Sequence, residues 1–337
     1  MRLAHYITLS SFFFTPLAAN AIDPIPKESG FSGYVNLGAG GVSVKSNELA
    51  SAGFIDLSEK SINSYGSAKS ESSAMMIAAG EISYTFAESG TQIFIGNRLE
   101  DYIRFDLSTF AGVRQNLGKA GVMGASVLYT AAETEVWSDP FKTGGAREET
   151  GRTANGYRLI WDKIYGTGLE LRYSYREIEI DNEQNGQSLN LSDAERTALN
   201  RNGDNHKVEA RYQFSSEDRR HIVTPEVSYT KHDTQGKAMA WEGYSVGANY
   251  IYTKDDWRFV TNVYASKQKA DEANPVFGEK ADSKLHGVSV NALYSKPFGL
   301  KNWTANAGVA WFEDNNDISF YDSQVLMVNA GMLYRFW

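Results

Sequence analysis

Beyond residue 30 the chain alternates apolar and polar side chains with a period of two, almost to its last residue. Successive side chains of a strand leave opposite faces, so this period predicts strands. Over Asn205 to Phe214, His206, Val208, Ala210, Tyr212 and Phe214 share one face, while Lys207, Glu209, Arg211 and Gln213 share the other. Leu169, Leu171, Tyr173 and Tyr175 separate in the same way from Glu170, Arg172, Ser174 and Arg176, and Ile103, Phe105 and Leu107 from Arg104 and Asp106. A soluble sandwich also alternates, so the breaks between strands decide. Strands are predicted near 31–44, 73–86, 91–98, 102–115, 121–132, 152–162, 168–180, 205–214, 220–230, 240–252, 257–266, 283–294, 303–312 and 322–336, which makes fourteen. Short connections such as 87–90, 116–120, 162–167, 215–219, 253–256 and 295–302 alternate with long polar ones at 45–72, 133–151, 181–204 and 267–282. Short turns at one end, long loops at the other and an even count predict an all-β fold: a transmembrane antiparallel up-and-down β-barrel with both termini in the periplasm. The short run 91–98 leaves twelve or sixteen strands open. Pro225 lies within a strand of a barrel that has no free edge, which predicts a bulge near the periplasmic rim.

Aromatic placement tests the barrel independently, because Trp and Tyr favour the membrane interface. Tyr84, Phe86, Trp161, Phe214, Tyr250, Tyr252, Trp257, Phe259, Tyr294 and Trp303 flank the short turns on the oily faces of their strands, as a periplasmic girdle requires. A sparser outer girdle comprises Tyr129, Tyr173, Tyr229, Tyr244 and Trp311. Val328, Ala330, Met332, Tyr334 and Phe336 alternate along the last strand and resemble the terminal signature read by the barrel-assembly machinery, with Tyr334, Phe336 and Trp337 as the assembly signal. Trp337 adds one residue to that signature, so either Trp337 or Phe336 takes the terminal role.

The N-terminus is a different kind of sequence. Arg2, the largely apolar run Ile7 to Leu17 and Ala19-Asn20-Ala21 read as a secretory signal peptide over residues 1–21, cleaved after Ala21. A short periplasmic segment, 22–30, then leads into the barrel, 31–337. The expected location is the outer membrane of a Gram-negative bacterium, with outer-membrane lipid as a partner.

Composition narrows the classes. The 337 residues include 13% aromatics and no cysteine, which excludes disulfides and thiolate chemistry. A mean hydropathy of −0.41 leaves no room for several membrane helices. The net charge of −8, which becomes −9 once the signal takes Arg2 with it, argues against nucleic acid as a partner.

The mature start, Ile25 to Gly38 followed by Val44-Lys45-Ser46-Asn47, resembles a gammaproteobacterial family of outer-membrane proteins known as a domain of unknown function. Gly112-Val113-Arg114-Gln115 and the stretch from Leu191-Ser192 to Arg201-Asn202-Gly203 are similar to it too. The resemblance covers nearly the whole mature chain. It implies location and architecture, and brings no activity, substrate or catalytic residue.

Catalytic constellations are weak. His286 and Ser289 are three residues apart, which places them on opposite faces of a strand. His232-Asp233 reads as solvated loop filler, and His206 and His221 have no carboxylate at metal-ligand spacing. No enzyme activity, metal or cofactor is expected. The charged face is more informative: Arg104, Asp106, Arg114, Arg158, Glu170, Arg172, Arg176, Lys207, Glu209, Arg211, Glu226, Glu242 and Arg258, with Glu81, are assigned opposite the oily one. A basic residue facing lipid at the midplane costs about 2–4 kcal/mol, so these are expected to line the lumen. Fourteen strands about 4.8 Å apart and tilted about 40° enclose roughly 28 Å, too wide for side chains to fill. Either these charges satisfy one another as a structural network, or opposed walls of arginines and carboxylates set a transverse field that selects polar solutes.

One segment departs from the strand pattern. Ser192 as N-cap and Glu195 three residues on form a capping box, predicting a short loop helix that includes Arg196, placed either outside the barrel or inward as a constriction. The leading functional expectation is a porin-like channel for small polar or ionic solutes through a charged, water-filled lumen. The alternative is a closed surface-binding or structural barrel whose loops hold a ligand or partner. A transporter of hydrophobic ligands would need a long apolar N-terminal hatch, and only about ten residues precede the first strand.

Overall fold

The computed structural model describes residues 25–52, 55–57, 59–97 and 107–336. The signal peptide, Arg104, Asp106 and Trp337 lie outside the described residues. The strands are β1 (Gly30–Lys45), β2 (Leu49–Ala52), β3 (Ile55–Asp56), β4 (Ser70–Phe86), β5 (Thr91–Asn97), β6 (Leu107–Asn116), β7 (Val122–Ala132), β8 (Thr134–Trp137), β9 (Glu149–Asp162), β10 (Leu169–Ile180), β11 (Gly203–Tyr212), β12 (Phe214–Ser215), β13 (His221–Thr234), β14 (Trp241–Lys254), β15 (Trp257–Ala270), β16 (Ser283–Ser295), β17 (Trp303–Asn316) and β18 (Ser323–Phe336). β2, β3 and β8 belong to the long loops and β12 continues β11, which leaves a closed antiparallel barrel of fourteen strands. Closure is made by β1 against β18, from Gly33↔Phe336 to Lys45↔Gln324. The short strand β5 is a full member, paired on both sides.

The alternation predicts facing correctly through the membrane zone. Leu171, Val208, Val227, Val246, Val263, Val309 and Val328 are exposed on the outer face, while Glu170, Arg172, Glu209 and Glu226 are buried on the inner one. The girdle residues pair as rings across neighbouring strands, Trp257 with Tyr294 at 4.8 Å and Trp303 with Tyr334 at 5.0 Å. Near the long-loop end the polarity inverts. On β10, Glu177 and Glu179 point outward and are exposed, while Ile178 and Ile180 point inward and are buried. On β4, Ser70 and Ser72 are outside, and Met75, Ile77 and Ala79 inside. Strands that leave the hydrocarbon meet water on the outside, and their apolar side chains turn to an interior core instead.

That core is built largely from loops. Phe141, Phe320, Tyr321 and Leu199 are buried with Val42, Val44, Met75, Ile77, Phe312, Val325 and Met327 from the strand tops. Tyr65 and Phe277 pack against them. Phe141 stacks on Phe320 with ring centroids 4.9 Å apart, and Tyr65 stands edge-on to Phe141, Phe277 and Phe320. Hydrogen bonds tie the contributing loops together: Asn47 Nδ2 donates to the carbonyls of Gly66 and Phe320, and Asn274 Nδ2 to the Tyr321 hydroxyl. Arg201, buried, donates to Glu183 Oε2 at 2.7 Å and to the carbonyls of Trp137 and Ser138. Burial pushes the Glu183 carboxyl up to about 8. The predicted loop helix, α1 (Asp193–Ala198), forms with both halves of its capping box, Ser192 and Glu195. Its own side chains are largely exposed, and Arg196 donates to the Leu191 carbonyl. Leu199, which follows it, enters the aromatic core.

Two expectations change. Pro225 makes no bulge: Arg211↔Glu226 and Phe214↔Val223 continue one register, so the proline interrupts the ladder without an inserted residue. Its ring faces outward on an exposed position, and the missing N–H costs one rung between β11 and β12. Glu242 faces outward rather than into the lumen. It shares the parity of Tyr244 and Val246, is exposed, and accepts a hydrogen bond from the Tyr229 hydroxyl at 2.8 Å, while Trp241 beside it turns inward. Glu242 lies where the strand has left the hydrocarbon, so a charge there faces water.

Candidate functional site

The inner wall divides into two arcs. One arc, β9 to β13, gathers most of the predicted lumen charges. Glu170 lies opposite Arg211, and Arg172 opposite Glu209, across the β10–β11 ladder; Arg211 lies opposite Glu226 across β11–β13. Directly opposed residues on one face have Cβ atoms about 4.5–5.5 Å apart, which is within reach of ion pairs. Arg172 contacts Glu170 at 2.9 Å and Glu209 at 3.9 Å, and Lys207 contacts Glu209 at 3.0 Å. Arg211 reaches Glu170 at 4.0 Å and Glu209 at 3.8 Å, and its Nε donates to Glu226. Arg158 donates to the Ser174 hydroxyl, and Arg176 to the Ser108 hydroxyl and the Ala154 carbonyl. The carboxylates are the most deeply buried members, with Glu170 0%, Glu209 1% and Glu226 2% exposed.

Two sequence-predicted residues stand apart from this network. Arg114 pairs with Glu81 at 3.4 Å, donates to Gln92, and lies 4.4 Å over the Phe94 ring, which explains why Phe94 points inward. Arg258 is inward at the short-turn rim of β15. Most of the ion pairs therefore form between residues of one arc rather than across the lumen.

The second arc, β14 through β18 to β1, carries amides and hydroxyls. Asn249 donates to Asn262, Asn262 to the Ser289 hydroxyl, and Asn306 to Asn36. Asn291 and Asn329 are also inward and buried. Between Arg258 and Arg335 at the short-turn rim and Asp314 near the long-loop end, no charged side chain of the described residues faces inward on this arc. The sequence reading passed over these residues, although their parity in β16, β17 and β18 placed them inside. It also passed over Phe141, Phe277 and Phe320, whose signal was an aromatic ring in an otherwise polar loop.

The weak catalytic candidates stay apart. His286 lies outside, 3.4 Å from Glu313, whereas Ser289 is inside. His232 is buried against the Trp241 ring, while Asp233 turns outward to Lys237.

A family model matches residues 30–335, nearly the whole of this closed barrel. The chain belongs to the DUF2860 family of proteins of unknown function. No curated protein matches it. Among solved structures this DUF2860 chain resembles the outer-membrane channel DcaP of Acinetobacter baumannii, at 11% identity and a TM-score of 0.45, covering 92% of this chain and 97% of that one. It also resembles a FadL homologue of Pseudomonas aeruginosa, at 9% identity and a TM-score of 0.44, with 90% and 89% covered. An anion-selective porin from Comamonas acidovorans matches at 7% identity and a TM-score of 0.42, with 92% and 100% covered. These similarities are to the fold alone.

Proposed function

We propose that this protein is an outer-membrane channel for small polar or ionic solutes, with its short-turn end in the periplasm and its long loops outside, and that the loop-borne aromatic core is the resting closure of its outer mouth. The observation that carries this reading is the polar inner face around the membrane-spanning part of the barrel, whose fourteen strands correspond to an ideal diameter of roughly 28 Å. The paired arc lowers the cost of holding charge there, and the amide arc offers hydrogen bonds to solutes in transit. Outer-membrane lipid is the solvent of the outward face, and the terminal residues Tyr334 and Phe336 on β18 are suited to recognition by the barrel-assembly machinery.

The aromatic core also favours a second reading, a closed barrel whose crown of loops holds a surface ligand. Recordings in planar bilayers separate the two. Wild-type protein is expected to conduct rarely, and the double variant Phe141→Ser/Phe320→Ser, which removes the stacked pair, frequently. If both proteins retain the heat-modifiable gel mobility of a folded barrel and neither conducts, the channel reading is overturned.

A further inference from the structure

Where the first and last strands close the barrel, asparagine and glycine alternate across the inner face. One row of the sheet reads Asn291, Gly308, Asn329, Gly40 over β16, β17, β18 and β1. The next row towards the short turns reads Leu293, Asn306, Gly331, Gly38, and Asn36 follows opposite Leu333. Gly38, Gly40 and Gly331 are required by the backbone. A Cβ at Gly38 would stand 2.7 Å from the Ala330 carbonyl oxygen, and one at Gly331 2.7 Å from that of Leu37. Gly308 and Gly40 leave Asn329 without a neighbouring side chain on its own row. The row directly above, Ser289, Ala310, Met327 and Val42, begins the floor of the aromatic core.

Two of these amides are unusual. Asn306 and Asn36 bond to each other at 2.9 Å, but the Nδ2 groups of Asn291 and Asn329 have no hydrogen-bond partner among the described residues, although the two residues are only 3% and 8% exposed. A buried donor left unmade is destabilising, so a fold that keeps two of them one strand apart on either side of a glycine calls for an acceptor from outside the chain.

We propose that this Asn–Gly face is a binding site for a neutral, hydroxyl-rich solute of the saccharide or polyol class. The inference rests on the channel reading and names what the lumen recognises. The chemistry follows from what the arc contains. A hydroxyl both donates and accepts, which matches the amide N–H and C=O pair at each asparagine and the bonded Asn306–Asn36 pair below. An anion would need a cation, and the nearest on this arc, Arg258 and Arg335, stand at the short-turn rim. An apolar solute would leave the two donors unmade, and such sites reject ligands that lack the matching polar group. On the charged arc opposite, the carboxylates Glu170, Glu209 and Glu226 are each met by Arg172, Lys207 or Arg211.

The test is isothermal titration of full-length, detergent-folded protein with maltose, sucrose and, as the anionic comparison, sodium benzoate. Maltose or sucrose is expected to bind the wild type and benzoate not to. Asn291→Leu and Asn329→Leu are each expected to weaken sugar binding about tenfold, the cost of one hydrogen bond of this kind. Asn291→Ser and Asn329→Ser provide smaller polar replacements if the leucine variants do not fold, with the same expected direction. Absence of sugar binding to the folded wild type, or sugar binding that all four variants leave unchanged, overturns the proposal. Bilayer conductance separates this outcome from failure of the channel reading: conduction without sugar binding removes the site and keeps the channel, while sugar binding without conduction removes the channel and keeps the site.

Discussion

The two arcs of the inner wall meet the same requirement, polar side chains in the middle of a membrane barrel, in different ways. On β9–β13 the side chains are ionisable and long, and several reach a partner on the neighbouring strand, as Arg172 does with Glu209 and Arg211 with Glu226. On β14–β1 they are neutral and short, and Asn291 and Asn329 end without a protein partner. On the first arc, removing Arg172 or Arg211 takes a cation from buried carboxylates. The second is open, because its members bond in pairs and the remainder await an acceptor. The difference shows that a polar lumen is not one material: on the first arc opposite charges meet one another, and on the second neutral amides end without a protein partner.

The largest expected effect falls on the charged arc. Arg211→Met leaves Glu226, Glu209 and Glu170 without their shared cation and is expected to destabilise the barrel by about 3–5 kcal/mol, read as a shift in the urea midpoint of detergent-folded protein. An unshifted midpoint would mean that the pairs contribute nothing and that the two arcs do not differ. Next comes facing. Leu171→Arg places a charge on the lipid side beside Arg172 and is expected to cost about 2–4 kcal/mol and lower the folded fraction in heat-modifiable gels, because neighbouring residues on one strand face different solvents.

A smaller effect concerns a charge buried in the loops, without the arc's network. Glu183, with its carboxyl pushed up by burial, contributes stability that is fully present below the ordinary carboxylate range and is lost as pH rises through about 8. Protease cleavage in the loop that contains it is therefore expected to accelerate between about pH 5 and pH 8 in the wild type but not in Glu183→Gln; parallel profiles would remove the role of this carboxyl. The smallest change is expected on the open arc. Asn329→Leu removes a donor that has no protein partner and is expected to alter stability by less than about 1 kcal/mol. A loss as large as that of Arg211→Met would show that this asparagine is structural.

Facing was legible in the sequence wherever one side of a strand met lipid, because a period of two is a local property and the cost of a lipid-facing charge is high. Arg172, Glu209 and Arg211 were placed correctly by parity alone, and the capping box of Ser192 and Glu195 fixed a helix from four residues. Glu242 was misplaced because the rule that charges turn inward stops applying where a strand leaves the hydrocarbon, and no local signal marks that height. Pro225 shows the same limit: its local chemistry announced an interrupted ladder, but whether a residue is inserted depends on the partner strand.

The sequence by itself determined the strands and, within the hydrocarbon, the side each residue faces, since these follow from nearest-neighbour geometry and the contrast between lipid and water. Tertiary structure decided which inward residues share a row. Asn291 and Asn329 are joined through Gly308, and Asn329 meets Gly40 only because β18 closes on β1, at the far end of the chain. It likewise brought Phe141, Phe277 and Phe320 from three separate loops into one core. Register between distant strands and contact between distant loops are set by closure of the whole barrel, and no window of the sequence contains the distances that closure fixes.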